Sequence, residues 1–439
     1  MTMGRFAAML LMATALSGCG VFKGGKPKTT LLGDRIAVLT SENSAELDTS
    51  IAALPVTVPA AEVNDSWAQS GGNAQKSMGN VALKATLARA WTVSIAGSSK
   101  QVRLAAAPVV QGARVYVMDT EAVVRAIDAA TGAVVWSTRL TDPAGNEGSL
   151  FGGGVSAEGD RVYATNGVGD AAALEAATGK VVWKKRPGGP LRGAPTISNG
   201  NVYVVSQDNQ LFALNGTTGD TIWNESGTLE AAGVFGVAAP AAAQGTVVAG
   251  FSSGELTAYR YENGRAVWQD ALARTSISTA VSTLSDIDAD PVIDGGRVYA
   301  VGQGGRMVAL ELTTGQRLWE LNVAGISTPW VAGDWIFIVT DDARMLCIQR
   351  ATGRIRWVSQ LPRWKNEKSK KGLIGWTGPI LAGDRLLVVN TEGEMMSVTP
   401  ADGTMAAPIR AGKSFYLSPV VANNMLFLLD NDGKLSAWR

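Results

Sequence analysis

Histidine is absent from all 439 residues. Ser-His-Asp and Cys-His nucleophilic sites are therefore excluded, as are the His ligands of most catalytic zinc sites. Cysteine is nearly absent too, with Cys19 and Cys347 alone. The chain has no Cys-x-x-Cys pair, no Gly-x-x-x-x-Gly-Lys-Ser/Thr loop and no dinucleotide fingerprint at a strand-to-helix turn. Charged residues are scarce at 18%, and the net charge is only +1. A nucleic-acid partner wants a strongly basic surface, so this balance argues against one. Long apolar runs are missing as well. Phe6 to Leu16 spans 11 residues, too few to cross a bilayer, and no later segment is long enough.

Glycine, by contrast, is abundant (51), and it sits in a repeat. Thr131-Gly132…Trp136, Thr178-Gly179…Trp183, Thr218-Gly219…Trp223, Asn263-Gly264…Trp268, Thr314-Gly315…Trp319 and Thr352-Gly353…Trp357 share one spacing. A period of roughly 40–50 residues with strand-like sequence inside it means a propeller or solenoid. Residues 194–223 give the unit. Val202–Val205 and Gln210–Leu214 are β-branched or aromatic-rich, with a tight connection at Gln207-Asp208-Asn209 and a second turn at Gly216–Gly219. Each unit therefore reads as a four-stranded antiparallel meander. Such a sheet has two apolar faces and is buried by stacking on its neighbours. The Trp reads as a plug against the next blade, because an element present in every repeat serves the repeat rather than one ligand.

Blade starts follow a small-residue-Pro pattern at Pro108, Pro195, Pro240, Pro291, Pro329, Pro379 and Pro419, with an eighth start at Gly154-Val155. The seventh repeat is degenerate, with Ala407 where Trp is expected. The eighth ends at Trp438-Arg439 after three strands, and Ala90-Trp91-Thr92-Val93 supplies the missing outer strand. The expected fold is all-β, an eight-bladed β-propeller over residues 66–439, closed by pairing of the N- and C-terminal strands. Acid pairs at Asp341-Asp342 and Asp430…Asp432 fall at hairpin tips and read as solvated turn formers rather than calcium ligands. Cys347 lies in an apolar strand and reads as a buried, inert thiol. No cofactor, metal or catalytic residue is expected.

Residues 1–18 read as a signal peptide, with Arg5 ahead of the apolar stretch. Leu16-Ser17-Gly18-Cys19 resembles the bacterial lipobox, which implies cleavage before Cys19, its acylation and, with Gly20 following, outer-membrane retention. Residues 19–65 read as a lipidated tether and an extended segment without the repeat.

Two wider resemblances follow. The motif Ala-Ile-Asp/Asn-x-x-Thr-Gly-x-x-x-Trp, as in Ala126 to Trp136, resembles the repeat of pyrroloquinoline-quinone-dependent dehydrogenases. Their vicinal Cys pair is missing here, so that likeness bears on fold and not on activity. Nearly the whole chain resembles the outer-membrane protein assembly factor BamB family, in its lipobox, its Trp67 to Asn73 opening and its repeats. That resemblance implies a non-enzymatic scaffold of the BAM complex that binds the periplasmic POTRA domain of BamA and other BAM subunits, and that aids nascent outer-membrane proteins. Leu284-Ser285-Asp286-Ile287-Asp288-Ala289-Asp290-Pro291 resembles the family loop that approaches BamA. By that resemblance Asp286 and Asp288 are exposed acids facing the partner; from the residues alone they form a solvated loop. The family's second contact, Leu-x-Leu-Arg-Gly, is matched to Ala232, Val234, Phe235 and Gly236, without the Arg.

Three further features have more than one reading. Arg363 to Lys371 is the main charge run, either a solvated connection or a contact for anionic lipid or an acidic partner through Trp364. Trp330, Trp335 and Trp376 lie outside the repeated position and read as local packing, or as sugar-stacking sites in a carbohydrate-binding propeller. A quinone-dependent dehydrogenase is the remaining alternative.

Overall fold

The computed structural model describes residues 45–100, 102–141, 152–229, 238–272 and 286–439. Cys19, Val234, Phe235 and the signal peptide lie outside the described residues. Residues 43–439 form one compact unit. Among the described residues the one helical element is a 3-10 turn, Thr49–Ile51, capped by Asp48. No helix among them is long and apolar enough to cross a membrane.

Among the described residues eight antiparallel sheets of four or five strands follow one another in chain order. In the third, Thr196–Ser198, Asn201–Val205, Gln210–Asn215 and Thr221–Ser226 pair in sequence, with Val202 opposite Leu214. The second and third strands are buried on both faces, as neighbouring blades require. The outer strand buries only its Trp. The eighth sheet joins Val420–Ala422, Met425–Leu429 and Lys434–Trp438 to Arg89–Ser94 from the other end of the chain. The ring closes as the repeat count predicts.

Seven of the eight seams are plugged alike. Trp91, Trp136, Trp183, Trp223, Trp268, Trp319 and Trp357 each donate an indole N–H, at 2.7–3.0 Å, to a carbonyl in the next blade. In each outer strand the register shifts within the residue or two preceding the Trp. Such a bulge re-aims a side chain, here into the seam. The indole then covers the turn glycine opposite. At Gly219 (φ +75) a Cβ would sit 2.5 Å from Trp183, so both the conformation and the contact demand glycine. Between blades 7 and 8 there is no such indole, and the outer strand of blade 7 is only Ile409–Arg410.

The segment from Asn64 to Val81 was not placed by any periodicity. It runs once around the inner edges of the ring. Asn423 donates its N–H to the Asn64 carbonyl (2.8 Å), and Ser66–Trp67 pairs with Val110 and Gln111. Ala157 then bonds to Ala68 (2.8 Å), Ile197 to the Gln69 side chain (2.9 Å), Ala242 to Ala74 (2.8 Å) and Ile293 to Gln75 (2.9 Å). Trp330 donates to the Gly79 carbonyl (2.7 Å), and Gly383 to that of Val81 (2.8 Å). These partners belong to blades 8, 1, 2, 3, 4, 5, 6 and 7 in that order. Glu62 and Val81 then bridge to each other, so the hoop closes on itself.

Candidate partner-binding face

The hoop lies toward one end of the central channel. At the other end the connections between blades begin each inner strand. The channel is therefore a cup, floored by Trp67, Gln69, Ser70 and Lys76 and walled by blade-start residues such as Pro108, Ala194 and Pro379. About 80 Å³ remains inside it, well below the ~300 Å³ at which ligand pockets begin. Lys76 is buried in the floor, its ammonium donating to Thr196 Oγ1 (3.1 Å). Burial pulls its pKa down to about 8, against the opposing charge of Asp290.

On the connection side the structure corrects one expectation. Asp286 and Asp288 are not exposed acids. Asp286 is 1% exposed, and its carboxylate accepts from Arg192 Nη2 at 2.8 Å; Asp288 accepts from the same nitrogen at 3.3 Å. Their side chains are 2% and 9% exposed, and that of Arg192 is 2%. The cause lies between them. Ile287 is fully buried in the seam of blades 4 and 5, where a Cβ on Gly250 would come within 2.5 Å of it. The flanking backbone is held by Ile287 N–H to the Phe251 carbonyl (3.2 Å) and Gln303 N–H to that of Asp286 (2.9 Å). An apolar residue anchored this way draws both neighbours inward, and buried carboxylates need a partner.

Arg192 is that partner, and it was not singled out in the sequence. It stands in Leu191-Arg192-Gly193, ahead of the Ala194-Pro195 blade start, and so comes from the connection between blades 2 and 3. The three charges thus tie that connection to the one between blades 4 and 5, across blades 3 and 4. Ala232, Val234, Phe235 and Gly236, matched to the family's second contact, lie outside the described residues. Burial raises the pKa of Asp286, with Arg192 opposing. Burial and then the charge of Asp286 push Asp288 up to about 7, again against Arg192.

The other singled-out residues fall elsewhere. Trp330 stacks on Trp67, Trp335 is 3% exposed, and Trp376 donates to the Pro362 carbonyl (2.8 Å). All three are packing residues with no face free for a sugar. Cys347 is fully buried, and burial raises its thiol pKa. Asp341 sits in a hairpin turn as expected, whereas Asp430, read as a solvated turn former, is buried at its turn and accepts from the backbone N–H groups of Asp432 and Lys434. The basic run forms a small exposed hairpin, Trp364–Asn366 with Lys371–Leu373.

These features define a class: eight-bladed propellers with quinoprotein-type repeats, whose channel is stoppered and whose buried charge cluster shapes one face. A family model described as outer membrane protein assembly factor BamB matches residues 73–151 and 120–359. The factor of that name from Vibrio cholerae is 33% identical over 324 residues, covering 73% of this chain and 81% of its own. Among solved structures, BamB from Moraxella catarrhalis superposes with a TM-score of 0.65 at 20% identity, covering 81% of this chain and 98% of that one. A quinohemoprotein alcohol dehydrogenase from Comamonas testosteroni reaches 0.66 at 14% identity, over 90% of this chain and 82% of that one, a likeness of fold alone. The chain belongs to the outer membrane protein assembly factor BamB family.

Proposed function

We propose that this protein is a non-enzymatic subunit of the outer-membrane β-barrel assembly machinery, anchored through acylated Cys19 on the periplasmic side of the outer membrane. Family membership carries this reading. The connection face is its docking surface for the POTRA region of BamA. Arg192, Asp286 and Asp288 set the shape of that face, Asp288 being the most open of the three carboxylate and guanidinium groups. Val234 and Phe235 supply an apolar anchor of the kind that dominates small interfaces. Client strands add to exposed blade edges by β-augmentation, and a crosslinking survey finding none there would count against that part.

A tricyclic quinone does not suit the cup, because the hoop fills its floor and only about 80 Å³ remains among the described residues.

The test is a tagged pull-down from solubilised envelopes. Wild type recovers BamA. A variant with Asp288→Asn and Phe235→Ala, checked to melt like wild type, recovers it roughly tenfold less, the scale of a lost hot-spot contact. Failure of the wild type to recover BamA would overturn the assignment.

A further inference from the structure

The unplugged seam between blades 7 and 8 holds a cavity of about 260 Å³. Four cations line it: Arg89, Arg410, Lys413 and Lys434. They arrive from three places, the N-terminal strand of blade 8, the outer strand of blade 7 with its following loop, and the C-terminal strand. Arg89 lies 4.6 Å over the Trp438 ring and donates to the Ala411 carbonyl at 2.9 Å, which sets its guanidinium in the seam. Three carboxylates stand nearby, Glu394 being the cross-strand partner of Arg410. Asp430 is buried and spends its oxygens on the backbone N–H groups of Lys413, Asp432 and Lys434. Asp432 pairs with Lys413 at 2.7 Å. Arg410 and Lys434 make no ion pair among the described residues.

We infer that this seam is a binding site for a phosphate group carried by a small ester. The four cations outnumber the carboxylates of Asp430, Asp432 and Glu394 and leave a net positive charge suited to a phosphate. Guanidinium forks suit its tetrahedral oxygens. The Thr92 hydroxyl also lines the cavity. The volume falls just under that of ordinary ligand pockets, so it takes a head group rather than a nucleotide. The repeat itself explains why the site is here. At the other seams an indole fills the gap and caps a turn glycine. At this one Ala407 replaces the Trp, and the facing turn is replaced by the two chain segments that close the ring.

Isothermal titration of the mature protein with inorganic phosphate and with glycerol 3-phosphate, at constant ionic strength, tests the site. Saturable binding is expected. The exposed pair Arg410→Gln and Lys434→Gln should weaken it at least tenfold, the scale of losing a charge-assisted hydrogen bond. The control pair Lys368→Gln and Lys370→Gln, with the same change in charge, should leave it unaltered. Flotation with vesicles of phosphatidylglycerol in phosphatidylcholine then separates the sources. Retention lost in the seam variant assigns the phosphate to a lipid head group, and retention unchanged assigns it to a soluble ester. No saturable binding, or equal weakening by the control pair, overturns the site.

Discussion

The indole of Trp67 lies on that of Trp330, with ring centroids 5.8 Å apart and planes 17° from parallel. Trp67 belongs to the hoop and Trp330 to the inner strand of blade 6, while Trp67 also pairs with Val110 of blade 1. One residue, through its backbone and its ring, thus links blades far apart in the ring. Trp67→Ala is expected to cost about 3–5 kcal/mol, the range for a buried aromatic truncated to alanine. Urea unfolding with matched m-values checks it; a loss below about 1 kcal/mol would mean the hoop is an ornament on an independently stable ring.

Arg192 should behave as the keystone of a buried charge cluster. Arg192→Met leaves Asp286 and Asp288 without their cation and is expected to destabilise by about 3–5 kcal/mol. Adding Asp286→Asn and Asp288→Asn to it should restore most of that loss, since the uncompensated charges are gone. A triple variant no more stable than the single one would refute the electrostatic account.

The pH dependence follows from Asp288. Its folded pKa is raised from 3.8 to about 7, so the folded state holds this proton more tightly than the unfolded chain. Its contribution is fully present below about pH 4 and is lost as pH rises toward 7. Asp288→Asn should flatten that part of the stability profile, seen as a smaller fall in melting temperature between pH 5 and 8. An unchanged slope would place the effect in other groups.

The glycine under each plug is a sharp test of the seams. Gly219→Ala must hold φ near +75 and push against Trp183, so it is expected to cost about 1–3 kcal/mol. Gly200 also has positive φ (+73), but a Cβ there meets nothing within 4 Å, so Gly200→Ala should cost less. Comparing the two melting temperatures separates strain from packing.

Cys347 should resist thiol reagents until the ring opens, because it is fully buried and its thiolate is disfavoured. Labelling at the rate of global unfolding is the expected outcome; rapid labelling of native protein would show that blade 6 opens locally.

Much of this architecture was legible in one dimension. The Gly-to-Trp spacing gave the blades, and Ala90–Val93 gave the closing strand, because strand periodicity and turn chemistry are local. The hoop was not legible. Its ring contacts are largely backbone hydrogen bonds to successive blades, so its side chains carry no pattern. Asp286 and Asp288 were read as solvated because acids in a connection usually are. The overlooked sign was Ile287 between them, an apolar residue that must go somewhere. Arg192 was missed because pairing at a separation of 94 positions leaves no mark in sequence spacing.

The circuit of the hoop also bears on the order in which the chain can mature. Its contacts in blades 7 and 8, and the strand Arg89–Ser94 that completes blade 8, precede in the chain everything they bind. During synthesis the strand Arg89–Ser94 has no partner until the final strand Lys434–Trp438 has emerged. A chain shortened within that last strand keeps the hoop's contact at Asn423 but leaves Arg89–Ser94 without its partner, so the ring stays open at blade 8.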